Sequence, residues 1–68
     1  MELKEVIYRV GYFRNKMNLS ARSLSLMLGK NKAYITKLEA GDFEPSMQTI
    51  LEIIEICNTT PEEFFMTI

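Results

Sequence analysis

The sequence predicts an all-α fold, a single compact domain of five short helices spanning residues 1–68. Three observations carry this expectation. Apolar residues recur at intervals of three and four along almost the whole chain, which lays one apolar stripe along a helix. The stripes are separated by residues that start or stop helices: Ser20, Gly29, Gly41, Ser46 and the pair Thr60-Pro61. No run alternates apolar and polar residues as a half-buried strand would, and there is no internal repeat or low-complexity linker.

In the first helix Leu3, Val6, Ile7, Val10, Phe13 and Met17 form the stripe, and Asn18 is its stop. Gly11 lies inside it at a cost of about 1 kcal/mol relative to alanine. Ser20 is a good N-cap for a short second helix through Leu28, which Gly29 ends because glycine adopts a left-handed conformation without penalty. The third helix is predicted from Asn31 to Glu39, with Ala33, Ile35 and Leu38 inward and Gly41 closing it. Asp42–Pro45 is a loop. Ser46 caps a fourth helix in which Ile50, Ile53, Ile54 and Cys57 repeat at helical spacing. The last helix opens with Thr60 as N-cap, Pro61 at N1 and Glu63 at N3, a capping box with the favoured proline. Met17, Met27 and Met47 read as core filler.

Close to half the residues are apolar (47%), enough for one core. A chain this short buries only about 60% of its unfolded surface, so the stability margin is thin. No stretch approaches the roughly 18 apolar residues of a membrane span. The start MELKEVIYRV lacks the pattern of a secretion signal, and Cys57 has no cysteine partner, so a reducing cytoplasm is the expected compartment. Without histidine, the lone cysteine cannot build a zinc site. No nucleophile stands beside a base at a recognisable spacing, so neither catalysis, a cofactor nor a small-molecule substrate is expected. Glu62 and Glu63 suit helix capping rather than acid–base work.

The net charge of −1 is unevenly distributed. Residues 1–41 hold all eight bases (Lys4, Arg9, Arg14, Lys16, Arg22, Lys30, Lys32, Lys37) against Glu2, Glu5 and Glu39, a local +5. Residues 42–68 hold Asp42, Glu44, Glu52, Glu55, Glu62 and Glu63 with no base, a local −6. Charges act mainly within a Debye length of about 8–10 Å, so one basic side of a bipolar molecule can face a polyanion. The other reading is that the charges simply keep two faces wet.

Two short helices joined at a glycine invite comparison with the helix-turn-helix, whose second helix lies in the major groove of DNA. That geometry needs a small residue where the helices cross, a turn glycine, and apolar residues behind both helices. Ser25, Gly29, Leu24, Leu28, Ile35 and Leu38 meet these needs, whereas Lys30 stands just after the turn where an aliphatic residue is usual.

The series Leu19-Ser20, Leu24, Leu28-Gly29, Ile35-Thr36-Lys37-Leu38-Glu39, Gly41, Pro45-Ser46 and Ile50 resembles the lambda-repressor-like family of regulators, which includes the Cro proteins. The likeness spans about residues 6–65, and it implies a lambda-repressor-like five-helix fold with helices two and three as the helix-turn-helix. It further implies a regulator of duplex DNA, expected to be a repressor, with the helix Asn31–Glu39 in the major groove. Lys32, Ala33, Tyr34 and Lys37 would meet base edges: the lysines can donate to guanine and Ala33 can touch a thymine methyl. Ser20, Arg22, Lys30 and Asn31, with the start of that helix, would meet phosphate. Arg14 and Glu39 occupy the positions of an ion pair between the first and third helices. Four departures each remove a phosphate contact: Ala21 where glutamine is common, Gly11 and Asp42 where a base is frequent, and Ala40, which has no group to offer. Modest affinity and a shallow salt dependence follow.

For Lys32 and Lys37 the alternative is a solvated helix face, and Tyr34 can equally pack beside Lys30. Cys57 completes an apolar stripe and reads as core. One face of the fourth helix cannot bury Ile50, Leu51, Ile53, Ile54, Ile56 and Cys57 together, and Phe65, Met66 and Ile68 add to the surplus. Homodimerisation through the C-terminal helices is therefore expected, as the resemblance also implies. A different class of reading is a helix-turn-helix scaffold that binds a protein partner, as an antitoxin does, through its acidic half.

Overall fold

The structure, a computed structural model, describes residues 2–66. Among them the fold is all-helical: α1 Leu3–Lys16, α2 Ala21–Met27, α3 Tyr34–Glu39, α4 Met47–Ile56 and α5 Pro61–Phe65. The Cα radius of gyration is 10.7 Å, against about 11 Å for a compact chain of this length. No helix among the described residues is long and apolar enough to cross a membrane.

The ends of the helices explain why they stop where they do. α1 to α4 all close on a left-handed residue: Asn18, Gly29, Gly41 and Asn58. In each case the next N–H reaches back five residues to a carbonyl: Leu19 to Arg14, Lys30 to Ser25, Asp42 to Lys37 and Thr59 to Ile54, all at 3.0–3.1 Å. This repeated closure satisfies carbonyls that a helix end otherwise leaves open. At the starts, Ser20, Ser46 and Thr60 accept from the N–H groups of Ser23, Thr49 and Glu63. The box expected at α5 is only half formed, because the Glu63 carboxylate accepts from the Thr59 hydroxyl instead.

The core joins all five helices: Val10 and Phe13 of α1, Leu24 of α2, Ile35 and Leu38 of α3, Ile50, Ile53 and Ile54 of α4, then Cys57 and Phe64. Phe64 stacks on Phe13 with ring centroids 5.5 Å apart, which pins α5 to α1. Arg9 adds a second tie. It is buried on α1, reaches the carbonyl of Met66 at 3.0 Å and pairs with Glu5 at 3.6 Å.

Two expectations are corrected. The third helix starts at Tyr34, not Asn31, because residues 31–33 form a turn in which the Asn31 side chain accepts from the Ala33 N–H at 2.8 Å. That local bond competes with helical geometry at the asparagine. Met17, Met27 and Met47 are not core: they are 42%, 56% and 58% exposed. Each stands at a helix end, where the packed neighbour no longer covers it. Of the apolar surplus, Leu51 and Met66 are exposed and Ile56 and Phe65 half-buried, while Ile68 lies outside the described residues.

Cys57 is buried, and burial pushes its thiol above the ordinary value of 9.0 against a smaller opposing pull from Arg14. The fold thus favours the neutral thiol. Its contribution is complete below the unfolded thiol's pKa and is lost as pH rises through the folded one. Urea titrations between about pH 8 and about pH 9.5 should show a steeper loss of stability for the wild type than for Cys57→Ala. Equal slopes would refute this reading.

Candidate nucleic-acid interface

The pairing of α2 with α3 depends on one buried hydroxyl. Ser25 is fully buried; its Oγ donates to the Ala21 carbonyl at 2.7 Å and accepts from the Ile35 N–H at 2.9 Å. The second bond matters because Ala33, the N-cap of α3, has no side chain able to accept. A serine on the neighbouring helix therefore caps α3 from outside. A larger side chain at 25 would separate helices whose buried Leu24, Ile35 and Leu38 meet there. Gly29, at φ 72°, turns the chain between them.

This pairing leaves a basic ridge exposed. Lys30, Asn31 and Lys32 are exposed on the turn, and Thr36 and Lys37 on α3. Ala33 is half-buried. Tyr34 is half-buried too, its ring 5.0 Å from that of Phe43 and beneath the Lys30 ammonium, 5.4 Å from the centroid. The aliphatic position that Lys30 fills is thus handled by a cation over an aromatic face. Lys32 and Thr36 are four residues apart, as are Ala33 and Lys37, so each pair stands one turn apart in sequence register. That spacing was available in the sequence, yet Thr36 was not among the expected contact residues.

The start of α3, expected to meet phosphate, is partly engaged within the fold. The N–H groups of Ala33, Tyr34 and Ile35 already have acceptors, in the Asn31 side chain, the Asn31 carbonyl at 2.9 Å and Ser25. Three of the N–H groups at this helix start are therefore engaged within the fold. At the start of α2, Arg22 is exposed, and the Ser20 hydroxyl both caps Ser23 and donates to the Ser23 hydroxyl at 2.9 Å.

Arg14 and Glu39 join α1 to α3. The guanidinium donates to both carboxylate oxygens at 2.7 and 3.0 Å and to the Leu19 carbonyl at 2.8 Å. The bond to Glu39 raises the pKa of Arg14 further, so the guanidinium stays charged at any working pH. The two side chains are 15% and 23% exposed, a setting where such a pair fixes geometry more surely than it adds stability. Gly11 lies against the pair: a Cβ there would sit 3.9 Å from the Glu39 carboxyl carbon. Arg9, which the sequence offered only as one base among eight, is turned into the fold. Two of the eight bases thus serve internal pairs with Glu5 and Glu39.

Two short helices held at a serine, with a basic ridge along the second, define a helix-turn-helix module. The helix-turn-helix family model matches residues 10–64, most of the chain, and the protein belongs to this lambda-repressor and Cro-like family of DNA-binding regulators. No curated protein and no solved structure matches the chain.

Replacing Ser25 with alanine would leave the buried Ile35 N–H without an acceptor, which costs about 1–3 kcal/mol. Total stability for 68 residues is roughly 3–10 kcal/mol, so the loss is a large share of it. Urea denaturation should show that drop for Ser25→Ala. The exposed Ser23→Ala should stay within about 0.5 kcal/mol. Similar midpoints for the two variants would remove Ser25 from this role.

Proposed function

We propose that this protein is a sequence-specific repressor that places α3 and the turn before it in the major groove of duplex DNA. The observation that carries the reading is the ridge of Lys30, Lys32 and Lys37 along the turn and the helix α3, which Ser25 holds. Lys32 and Lys37 are assigned to base edges, where a lysine donates to guanine O6 and N7, and Ala33 to a thymine methyl. Thr36 joins them as an exposed hydroxyl on α3 beside Lys37. Tyr34 is the weakest of the expected base contacts, since its ring packs on Phe43. Lys30, Arg22, Ser20 and the outward amide of Asn31 are assigned to phosphate. Repression then needs no further chemistry: occupancy of an operator excludes other proteins from it.

A homodimer completes the proposal. Met47, Leu51 and Met66 are exposed, and a cleft of about 330 Å3 between α1, α4 and α5 is lined by Leu3, Val6, Pro45, Met47, Ile50 and Phe65, with Glu44 beside them. A two-fold contact there would set two copies of α3 about 34–36 Å apart on a near-palindromic site.

Fluorescence anisotropy with generic duplex DNA from about 25 to about 200 mM salt tests the DNA reading. Binding should weaken with a log–log slope of about 0.9 per phosphate contacted, and Lys32→Glu/Lys37→Glu should abolish it. A folded protein that binds no DNA even at low salt would overturn the proposal. Sedimentation equilibrium should show dimer at high micromolar concentration, and monomer alone would remove the dimer.

A further inference from the structure

Two clefts flank α4, and they differ in charge. The cleft toward α1 and α5 is apolar apart from Glu44. The other, about 200 Å3, lies between the end of α2 and the outer side of α4 and is lined by Met27, Leu28, Ile56, Glu52 and Glu55. Glu52 and Glu55 are exposed, and among the described residues neither is in an ion pair. No base occurs anywhere in residues 42–68 to neutralise them from their own or the following helix. Met27, more than half exposed, opens onto the same cleft.

We infer that this cleft docks a cationic amphipathic helix of another protein. An apolar side chain of that helix enters among Met27, Leu28 and Ile56, and lysines or arginines on its flanks pair with Glu52 and Glu55. Charge decides the occupant. A polyanion is repelled. A second copy related by a two-fold axis would bring the patch against itself, with Glu52 and Glu55 facing their own counterparts. The two carboxylates are three residues apart on one helix, a spacing that bases at i and i+3 or i+4 on a facing helix can match. Methionine suits the role because its unbranched, polarizable side chain adapts to varied apolar partners. Lys30, Lys32 and Lys37 do not line the cleft, so the inference stands apart from the DNA reading.

The probe is a fluorescein-labelled synthetic helical peptide with leucines on one face and lysines on its flanks, with a glutamate-flanked peptide for comparison. The lysine peptide should bind, and its amide shift changes should centre on Met27, Leu28, Glu52, Glu55 and Ile56. Glu52→Lys/Glu55→Lys should weaken it by about tenfold or more, whereas Asp42→Lys/Glu44→Lys, the same change of charge elsewhere, should leave it within about threefold. Lys32→Glu/Lys37→Glu should bind the peptide as the wild type does. If thermal melts show the first variant unfolded, Glu52→Gln/Glu55→Gln takes its place with a smaller loss expected. Equal loss in the Asp42/Glu44 variant would mean diffuse attraction and overturn the proposal. So would shifts centred on Leu3, Val6 and Phe65, no binding, or self-association that disappears in Glu52→Lys/Glu55→Lys.

Discussion

The hydrogen bond from the Ile35 N–H to the Ser25 hydroxyl is the constraint on which the rest of this structure depends. A six-residue helix is far below the length at which a helix persists by itself in water, so α3 exists only because its neighbours hold it. Ser25 does this in two ways. Its small volume lets the helices approach, and its oxygen takes the N–H that Ala33 cannot satisfy. A larger residue would forfeit the approach; alanine would keep it and leave a polar group buried without a partner. Serine meets both needs because its hydroxyl also returns a bond to the Ala21 carbonyl of its own helix. The direction in which Lys32, Thr36 and Lys37 point is therefore decided inside the domain, not on its surface.

Charge is partitioned by the same packing. Arg14 is held by Glu39 and Leu19, and Arg9 by Glu5 and Met66, so these guanidiniums tie α1 to α3 and to the end of α5. In a domain with so small a core, such ties add directional contacts to the apolar packing that joins the same elements. The remaining bases, all lysines except Arg22, are left for the surface, three of them on the α3 ridge and its turn. The net charge of −1 hides this arrangement, because the acids that offset the ridge are confined to residues 42–68.

Much of the fold was legible in the sequence because its punctuation is local. Ser20, Gly29, Gly41, Ser46 and Thr60-Pro61 act on atoms a few residues away, and their chemistry alone marks the helix ends. The frame of the helix-turn-helix was legible for a related reason: Leu24, Ser25, Gly29, Ile35 and Leu38 must have their sizes for two helices to cross. What escaped depends on neighbours remote in the chain. Met17, Met27 and Met47 fit helical stripes, but the stripe does not say where the covering helix ends. Arg9 looks like any surface base until Met66 arrives from 57 residues away. Asn31 carries a competing local bond that moves the start of α3 by a turn, and apolar periodicity does not register such a bond. Of the candidate site, the identity of the exposed lysines could be read from sequence. The withdrawal of Tyr34 onto Phe43 and the capture of the Ile35 N–H by Ser25 could not.

The placement of α4 limits how the molecule can assemble. Ile50, Ile53 and Ile54 face the core, so Met47, Leu51, Glu52 and Glu55 are left outward, apolar on one side and acidic on the other. A two-fold contact sets each patch against its own copy. Self-contact on the acidic side would bring carboxylates together with no base between them, whereas on the side of Met47 and Phe65 it would bury apolar surface. The proposed dimer and the proposed cationic partner therefore belong on opposite flanks of the same helix. Since the lysine ridge lines neither cleft, occupancy of one surface need not block the others. Any coupling among the proposed surfaces would have to pass through the packing that holds α3 on α2 and α1: the buried Ile35 and Leu38, the Ser25 hydroxyl and the Arg14–Glu39 pair.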